Sequence, residues 1–486
     1  VGGWPVIGTT DSNGQLLYFY NGFLGNMQIR MDAPFYGGTE TSPVQDTTVN
    51  SIYNFQTQQV TIQLKDSAGN LTNGGVVKAG TSGWPTVGTT GDDGQGTLYH
   101  EHFAGTFKYR MTFNSTTEEQ QHDVSTPFVF QTVQAVIQLI DHSGNPLDGG
   151  VVQFGTSGWP TIGTTGNAGP GTVHHELFAG SYNFRMVYNY GTEQKNADIS
   201  SPVIFQTALV DLQFSGSINH KVSGWPSFAG PTEMLPISHG FGFTGCGYPR
   251  QEVFFTPTAG TVLAKSIVFA SFLDSNGSGL AGGNFQYRFG WGSYTSMGTS
   301  PTSGLLVYAI DGINTNTKFQ VSYAGGTTGD QEQNIATDSC VVFQTAPVTA
   351  VLNDSISSQI TDDVTFEYRY GWGTKMPFDG AEELLPINTK ITVYYKGASI
   401  EKEQNAGPSP AFVFTTAPVT AVLNDSGSAP LGGATFEYRY GWGTKMPFDG
   451  AEELLPVNTK ITVYYMGASI EKEQNAGPSP AFVFTT

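Results

Sequence analysis

Seven tryptophans are the residues whose type and spacing come closest to a binding chemistry. Each follows a glycine, in Gly-Trp-Pro or Gly-Trp-Gly, and they recur almost evenly as Trp4, Trp84, Trp159, Trp225, Trp291, Trp372 and Trp442. An indole in a glycine-flanked loop could stack on a sugar ring. It could equally pack over a core or a neighbouring unit and anchor the repeat, since glycine neighbours permit close backbone approach in both cases. The anchor interpretation is favoured because the tryptophan persists even in the least regular repeat.

Histidines and acidic turns offer the residue types of a metal site. His100 and His102 lie two residues apart on a predicted strand and so point to one face, but a zinc site needs three or four converging ligands. The turns at Asp11, Asp92 and Asp274 lack the spaced carboxylates and the closing glutamate of a calcium loop. We therefore predict no metal and no other cofactor, with calcium in these turns as the alternative.

Sequence motifs for catalysis are missing. The chain has no Gly-x-Ser-x-Gly, no His-Glu-x-x-His and no glycine-rich phosphate loop. Glu382-Glu383 and Glu452-Glu453 are adjacent carboxylates, but neighbouring residues of a strand face opposite sides and cannot share one substrate. These pairs are interpreted as a solvated strand edge, and no catalytic residue and no enzyme activity are predicted.

The two cysteines, Cys246 and Cys340, each precede a strand that closes a repeat. In an oxidising compartment such a pair can bridge neighbouring units as a disulfide. The disulfide is the favoured prediction, and two unconnected small apolar side chains are the alternative.

Five Asn-x-Ser/Thr sequons are candidate N-glycosylation sites. They are Asn70, Asn114, Asn276, Asn353 and Asn424. A chain this rich in Asn, Ser and Thr produces about that many sequons by chance, so their number does not indicate modification.

Composition excludes several classes of partner. Only 13% of the 486 residues are charged, and 21 Lys+Arg against 40 Asp+Glu give a net charge of -19. Such a surface lacks the cationic footprint for nucleic acid or anionic lipid. No apolar run is long enough to span a membrane, and 38% hydrophobic residues are enough to build a folded core.

Internal repetition divides the chain into about seven units. Most units close with Phe-Gln-Thr or Phe-Thr-Thr, and each contains one tryptophan. The predicted units are 1–57 (N-terminally incomplete), 58–132, 133–207, 208–256 (short and degenerate), 257–345, 346–416 and 417–486. The last two are almost copies, because Thr365–Thr416 and Thr435–Thr486 differ only at Ile387/Val457 and Lys396/Met466.

Strand patterns fill the units. Val60, Ile62 and Leu64 alternate with polar residues, which is typical of a half-buried strand, and Asp66–Asn70 then supplies turn residues. No window shows sustained helical periodicity. The sequence predicts an all-β protein, a tandem array of about seven small immunoglobulin-like β-sandwich domains forming an elongated rod.

The amino-acid sequence of the repeats resembles that of a known group of proteins. The second unit reads Asp66-Ser67-Ala68-Gly69-Asn70, Gly74-Gly75-Val76-Val77, Gly88-Thr89-Thr90 and Phe103-Ala104-Gly105-Thr106-Phe107-Lys108-Tyr109-Arg110. This resembles the collagen-adhesin B-type repeats of bacterial surface stalks, adhesins and pilus-like fibres. The resemblance implies an extracellular or cell-surface structural protein.

The first unit suggests how such a protein could assemble. It begins at its tryptophan loop and lacks a counterpart of residues 58–83. One expectation is that a strand from another copy fills the gap by donor-strand complementation, giving head-to-tail homopolymers; the other is a longer array cut in mid-unit. We therefore predict a structural subunit of an extracellular bacterial fibre or pilus-like filament whose partners are copies of itself. The alternative is a multivalent adhesin that binds surface glycans through its tryptophan loops.

Overall fold

The computed structural model describes residues 3–22, 25–32, 39–80, 83–155, 158–405, 411–475 and 481–486. In these ranges the regular structure consists of β-strands, which confirms the prediction of an all-β fold. The same residues contain no helix with the length and apolar character that crossing a membrane requires. The chain divides into two compact bodies. The first comprises Val1–Val210, Thr232–His239 and Phe255–Leu263, and the second comprises Asp211–Pro231, Gly240–Phe254 and Ala264–Thr486.

The first body begins with short strands. They are β1 (Asn26–Met27), β2 (Arg30–Asp32), β3 (Thr39–Thr41) and β4 (Gln45–Asp46). β1 pairs with β4 and β2 with β3, both antiparallel. Several large apolar side chains around them remain exposed, including Val6, Leu17, Phe19, Val49 and Ile52.

Residues 57–131 form a two-sheet sandwich. Its strands are β5 (Thr57–Lys65), β6 (Val76–Ala79), β7 (Thr86–Thr89), β8 (Thr97–Phe103), β9 (Thr106–Phe113), β10 (Thr116–Asp123) and β11 (Phe128–Gln131). The sheet orders are β11-β5-β8 and β10-β9-β6-β7. Val60, Ile62 and Leu64 point from β5 into the core between the sheets and are fully buried, as the alternating pattern predicts.

Residues 133–206 repeat this sandwich. The strands are β12 (Val133–Ile140), β13 (Val151–Phe154), β14 (Thr161–Thr164), β15 (Thr172–Leu177), β16 (Ser181–Tyr188), β17 (Gly191–Asp198) and β18 (Val203–Gln206). The sheet orders are β15-β12-β18 and β14-β13-β16-β17. In both sandwiches the first strand pairs with the last one in parallel, β5 with β11 and β12 with β18.

Residues 208–345 are less regular. The strands are β19 (Ala208–Gln213), β20 (Ser217–His220), β21 (Thr232–Met234), β22 (His239–Gly245), β23 (Tyr248–Phe255), β24 (Val262–Leu273), β25 (Asn284–Arg288), β26 (Thr295–Thr299), β27 (Leu305–Asp311), β28 (Asn316–Tyr323), β29 (Gly326–Thr327), β30 (Gln331–Asn334) and β31 (Cys340–Gln344). In the first body β19 pairs with β21. In the second body β24 pairs antiparallel with β27 and parallel with β31, and β25 pairs with β26 and β28.

The second body ends in two nearly identical sandwiches. The strands of the first are β32 (Ala346–Asn353), β33 (Val364–Tyr370), β34 (Met376–Phe378), β35 (Ala381–Leu384), β36 (Asn388–Tyr395), β37 (Ala398–Asn405) and β38 (Ala411–Thr415). Those of the second are β39 (Ala417–Asn424), β40 (Thr435–Tyr440), β41 (Met446–Phe448), β42 (Ala451–Leu454), β43 (Asn458–Tyr465), β44 (Ala468–Asn475) and β45 (Ala481–Thr485). Again the first and last strands are parallel neighbours, β32 with β38 and β39 with β45.

Candidate functional site

Four glutamates take the same position where one unit meets the preceding one. We name Glu176, Glu233, Glu383 and Glu453 the junction glutamates. Each lies on a strand that pairs antiparallel with the first strand of its own unit, opposite the second residue of that strand, in the pairs Glu176–Gln134, Glu233–Leu209, Glu383–Pro347 and Glu453–Pro418. Because this residue of the first strand follows the linker directly, the carboxylate faces the unit before it.

Glu383 illustrates the geometry. Its Oε2 accepts hydrogen bonds from the Ser275 backbone N–H (3.1 Å) and from the Thr345 hydroxyl (2.5 Å), and its Oε1 accepts the Ser275 hydroxyl. Ser275 lies in the turn after the first strand of the preceding unit, and Thr345 closes that unit. One carboxylate therefore joins three donors of the preceding unit, and hydrogen bonds to a charged acceptor are stronger than neutral ones.

The same contacts recur at the other junctions. Glu176 accepts hydrogen bonds from the Ser67 N–H (3.1 Å), the Ser67 hydroxyl (2.6 Å) and the Thr132 hydroxyl. Glu453 accepts them from the Ser355 N–H (3.3 Å), the Ser355 hydroxyl and the Thr416 hydroxyl. Glu233 accepts them from the His142 N–H (3.2 Å), His142 Nδ1 (2.5 Å) and the Thr207 hydroxyl. Glu101 accepts the Thr57 hydroxyl at 2.7 Å. The arrangement is thus a property of the repeat.

An aspartate turn positions the serine donor. Asp274 Oδ1 accepts the backbone N–H groups of Asn276 (2.9 Å) and Ser278 (2.8 Å), which closes the turn on itself. The Ser275 N–H and hydroxyl then face the next unit. The linker threonine is held as well, because the Thr345 N–H donates to the Leu273 carbonyl at 2.9 Å.

A buried apolar residue lies two positions after each junction glutamate. These residues, which we name the plugs, are Phe178, Leu235, Leu385 and Leu455. Each packs into the hydrophobic core of the preceding unit, whereas Leu384, directly before Leu385, belongs to the core of its own unit. Because side chains alternate along a strand, the glutamate and the plug both face the preceding unit, and the residue between them faces the core of its own unit.

At three of the four junctions, a hairpin turn of the preceding unit makes a further contact. Asn114 Nδ2 donates to the Glu176 carbonyl (2.9 Å), and Asn189 Nδ2 donates to the Glu233 carbonyl (2.7 Å). At the corresponding turn of residues 346–416, Lys396 Nζ binds the Glu452 carboxylate at 2.7 Å. Burial lowers the pKa of Lys396, but the hydrogen bond to Glu452, the Glu452 charge and the nearby Tyr395 and Tyr438 together outweigh burial and hold the pKa above its usual value.

The interpretation of Glu382-Glu383 and Glu452-Glu453 as a solvated edge is wrong. Glu383, Glu452 and Glu453 all bind groups of the preceding unit. A signal for this was present in the sequence, since the glutamates at 101, 176, 233, 383 and 453 each stand two residues before Phe or Leu. This spacing can be recognised as a junction signal only when it is known that the preceding unit supplies the hydrogen-bond donors.

The junction between residues 208–256 and 257–345 is built differently. Cys246 and Cys340 form a disulfide with a Cα–Cα distance of 5.5 Å. Beside it, the Ser215 N–H donates to the Ser339 hydroxyl (3.0 Å) and the Ser339 N–H to the Ser215 hydroxyl (2.9 Å). Ile267 of β24 lies seven residues before the turn aspartate Asp274, as Pro347 lies seven residues before Asp354. Its partner on β27 is Ala309, which therefore takes the position of a junction glutamate. The covalent bond thus lies at a junction without the glutamate.

All seven tryptophans lie against a cation of their own unit. The distances from Arg Cζ to the ring centroid are 5.5 Å for Arg30–Trp4, 4.0 Å for Arg110–Trp84, 3.9 Å for Arg185–Trp159, 4.2 Å for Arg250–Trp225, 5.7 Å for Arg288–Trp291, 5.3 Å for Arg369–Trp372 and 5.2 Å for Arg439–Trp442. In the last three, Lys318, Lys390 and Lys460 approach the ring to 4.3, 4.3 and 4.1 Å. These contacts are cation–π interactions.

The prediction that the tryptophans pack over a core is wrong for three of them. Trp291, Trp372 and Trp442 are 88%, 87% and 86% exposed, so each indole caps surface cations and leaves the rest of its ring to solvent. Trp84 and Trp159 are half-buried and have φ angles of 42° and 41°, a backbone region that is rare for a bulky residue.

Histidines and acidic turns have local roles. Burial, together with the neighbouring His102, lowers the pKa of His100 to about 4. Asp141, His142 and Glu233 place ligand atoms within 4.8 Å of one another, but His142 holds the place of the serine at the other junctions, so the junction contact explains their approach. Asp11 Oδ1 accepts the backbone N–H groups of Asn13 and Gln15 within its turn.

The sequons lie in turns and at strand ends. The Asn70 side chain donates to Asp66 (3.1 Å), and that of Asn114 donates to the next unit as described above. Asn276 lies in the turn after β24, and the carbonyls of Asn353 and Asn424 accept the N–H groups of Thr416 and Thr486. Asn114 is the sequon that takes part in a junction.

No family model and no curated protein sequence matches the chain. Similar solved structures include the Bacillus anthracis TIE protein, with 9% identity, a TM-score of 0.20 and 75% of each chain covered. A streptococcal ancillary pilin has 11% identity and a TM-score of 0.17, covering 43% of this chain and 98% of its own. BcpA, the major pilin subunit of Bacillus cereus, has 9% identity and a TM-score of 0.17, covering 74% and 99%. These similarities are too low to assign a family.

Proposed function

We propose that the chain is a structural subunit of an extracellular bacterial fibre or pilus-like filament, in which it carries tension. The observation that carries this proposal is the parallel pairing of the first and last strands in five units: β5–β11, β12–β18, β24–β31, β32–β38 and β39–β45. The chain enters such a unit at the start of one strand and leaves it at the end of its neighbour.

Parallel terminal strands suit a protein under tension. A pull on the two ends of a unit draws the first strand one way and the last strand the other, so the hydrogen bonds between them are loaded together in shear. Antiparallel terminal strands joined at one edge would instead open bond by bond. The register Thr349–Ala411 to Asn353–Thr415 places the whole of β38 against β32, which maximises the number of bonds loaded at once.

The junctions support the same role. A junction glutamate and a plug restrain each of four linkers, and the hairpin contacts of Asn114, Asn189 and Lys396 add to three of these junctions. A pull is therefore transmitted between folded units instead of being absorbed by free linkers. The disulfide between Cys246 and Cys340 fits an extracellular location, because disulfides persist in oxidising compartments.

Assembly is proposed to be head to tail, with copies of the same chain as partners. The exposed Val6, Leu17 and Phe19 of the first unit would be covered in the fibre, and a strand supplied by another copy is the proposed means. Hydrogen exchange tests this step: backbone amides of residues 3–22 gain protection in fibres compared with monomers, and equal protection in both would contradict it.

Electron microscopy of cells that make the protein tests the function. Antibodies against residues 346–486 are expected to label filaments along their length, and deletion of the gene is expected to remove those filaments. Label confined to the cell body, or filaments that persist without the gene, would contradict a structural role in the fibre.

A second candidate function is multivalent glycan binding. It is favoured by Trp291, Trp372 and Trp442, whose rings are almost fully exposed and repeat from unit to unit. Glycan arrays probed with the whole chain and with Trp372→Ala test it. Binding that falls with the substitution, at unchanged thermal stability, supports an adhesin; absence of binding by the unsubstituted chain contradicts it.

A further inference from the structure

One of the four glutamate junctions has a histidine where the other three have a serine. The residue that contacts the junction glutamate through both its N–H and its side chain is Ser67, Ser275 or Ser355 at three junctions and His142 at the fourth. In every case a turn aspartate comes directly before this residue in the sequence. The junction with His142 therefore combines two carboxylates with an imidazole, and all three are ordinary ligands of Zn²⁺.

The three side chains of this junction bring their ligand atoms together. Asp141, His142 and Glu233 each place one ligand atom within 4.8 Å of the other two, and His142 Nδ1 lies 2.5 Å from Glu233 Oε1. Within the described parts of the chain, no other three side chains of His, Cys, Asp or Glu converge in this way. The side chains of His142 and Glu233 are 26% and 15% exposed, so the ligand atoms are sheltered and an ion can still reach them.

A neighbouring hydroxyl can orient the imidazole for binding through Nδ1. His142 Nε2 lies 3.0 Å from Ser143 Oγ, so Ser143 can accept the Nε2–H of a neutral imidazole. That tautomer leaves the Nδ1 lone pair facing Glu233. Histidines that bind a metal commonly donate their other ring N–H to a nearby acceptor, which fixes the tautomer and the orientation of the ring.

The two carboxylates are held by hydrogen bonds that a metal ion need not break. Asp141 Oδ1 accepts the backbone N–H groups of Ser143 and Asn145 at 2.8 Å, and Asp141 Oδ2 accepts Asn145 Nδ2 at 3.0 Å. Glu233 Oε2 accepts the Thr207 hydroxyl, which leaves Oε1 on the side of the imidazole. Because each carboxylate offers about four lone-pair sites, both side chains can keep these bonds and still bind an ion.

We propose that Asp141, His142 and Glu233 bind Zn²⁺, or a divalent ion with the same ligand preference, and that the ion clamps residues 133–207 to the unit that follows. Three protein ligands are enough for such a site, because water can take the fourth position. The ion takes the place of the hydrogen bond between His142 Nδ1 and Glu233 Oε1, and its two positive charges balance the two carboxylates. The mechanical role of this clamp rests on the proposed fibre, whereas the binding of the ion does not.

Calorimetric titration of the full chain with Zn²⁺ tests the site. The tightest site is expected to hold one Zn²⁺ per chain, and the paired cysteines offer no thiolate that competes for it. His142→Ser, which recreates the serine of the other junctions, and Asp141→Asn, which keeps an oxygen for the turn, are each expected to weaken binding about tenfold or more, since the loss of a mere outer partner already costs about 10–100-fold. His174→Gln, at an exposed histidine of the same unit, is the control and should bind zinc like the unsubstituted chain.

X-ray absorption of the zinc-loaded chain identifies the ligands. One imidazole nitrogen and oxygens at about 2.0–2.2 Å are expected around the ion, and zinc is expected to slow hydrogen exchange at the Ser143 and Asn145 amides of the turn. No zinc binding, a shell with two or more imidazoles, or an affinity that His142→Ser leaves unchanged would overturn the site and leave the fibre untouched. Zinc bound without slower exchange in the turn would overturn the clamp. Failure of the fibre itself would instead appear in the electron microscopy described above and would leave zinc binding intact.

Discussion

A junction glutamate acts through the number of donors that converge on it. Glu453 receives a backbone N–H, a serine hydroxyl and a threonine hydroxyl from the preceding unit. None of these donors is charged, so the contact needs no lysine or arginine. This explains how a chain with only 21 Lys+Arg joins its units through carboxylates.

Removing one junction glutamate leaves its donors without an acceptor. Glu453→Ala is expected to lower the free energy of unfolding by about 1–3 kcal/mol, the range for donors that lose a charged partner. Thermal denaturation of the whole chain measures this loss, and hydrogen exchange is expected to show faster exchange at the Ser355 N–H. Asp362→Ala, which removes an exposed carboxylate of the same preceding unit, is the control; an equal loss in both variants would contradict the role of Glu453.

His100 makes residues 58–132 sensitive to mild acid. Burial lowers its pKa to about 4 from an ordinary value of 6.5. The unfolded chain therefore takes up the proton first, and stability falls as the pH decreases from about 6.5 to 4. His100→Gln is expected to flatten the pH dependence of the unfolding midpoint in this window. An unchanged pH dependence of the unfolding midpoint in this variant would show that groups other than His100 cause the loss of stability.

At the scale of a strand, alternation assigns neighbouring leucines to different units. Leu384 is buried in the core of residues 346–416, and Leu385 is buried in the core of residues 257–345. The same division recurs for Leu454 and Leu455. The strand is therefore an element that two units share.

Two substitutions separate these roles. Leu384→Ala and Leu385→Ala remove the same atoms and should each cost about 2–5 kcal/mol, but in different units. We expect the backbone amides of β36 and β38 to exchange faster in Leu384→Ala. In Leu385→Ala we expect faster exchange in β28 and β31 instead. Loss of protection in the same strands for both variants would contradict the assignment of the plug.

The strands and the disulfide between units could be predicted from the sequence, and the glutamate junctions could not. The alternation of Val60, Ile62 and Leu64 reports which side chains a unit buries in its own core, and this local pattern identified β5. Leu385 is as apolar as Leu384, and no local pattern tells which core receives it. Two of the three donors to Glu383 lie 108 residues away at Ser275, so the contact depends on the packing of two folded units.

At the scale of the whole molecule, one junction of the second body relies on a covalent bond. Ala309 replaces the glutamate there, and Cys246 and Cys340 are joined across 94 residues of sequence. Cross-linking a loop of this length stabilises the folded state by about 2–5 kcal/mol. The disulfide therefore contributes to a junction that no glutamate stabilises.

Reduction of the disulfide should act locally. With reducing agent, or with Cys246→Ser and Cys340→Ser, we expect β24 and β31 to exchange faster while β39 and β45 keep their protection. Hydrogen exchange with and without reductant measures the difference. Uniform loss of protection along the second body would contradict a local role.

Mechanical pulling of single chains tests whether the folded units and the glutamate junctions together carry tension. Separate unfolding steps are expected, each releasing roughly 70 residues, or about 240 Å of extended chain. Glu453→Ala is expected to lower the force of the steps from residues 346–416 and 417–486 and to leave the other steps unchanged. Opening of residues 346–486 in a single step at low force, or steps that Glu453→Ala does not alter, would contradict this role.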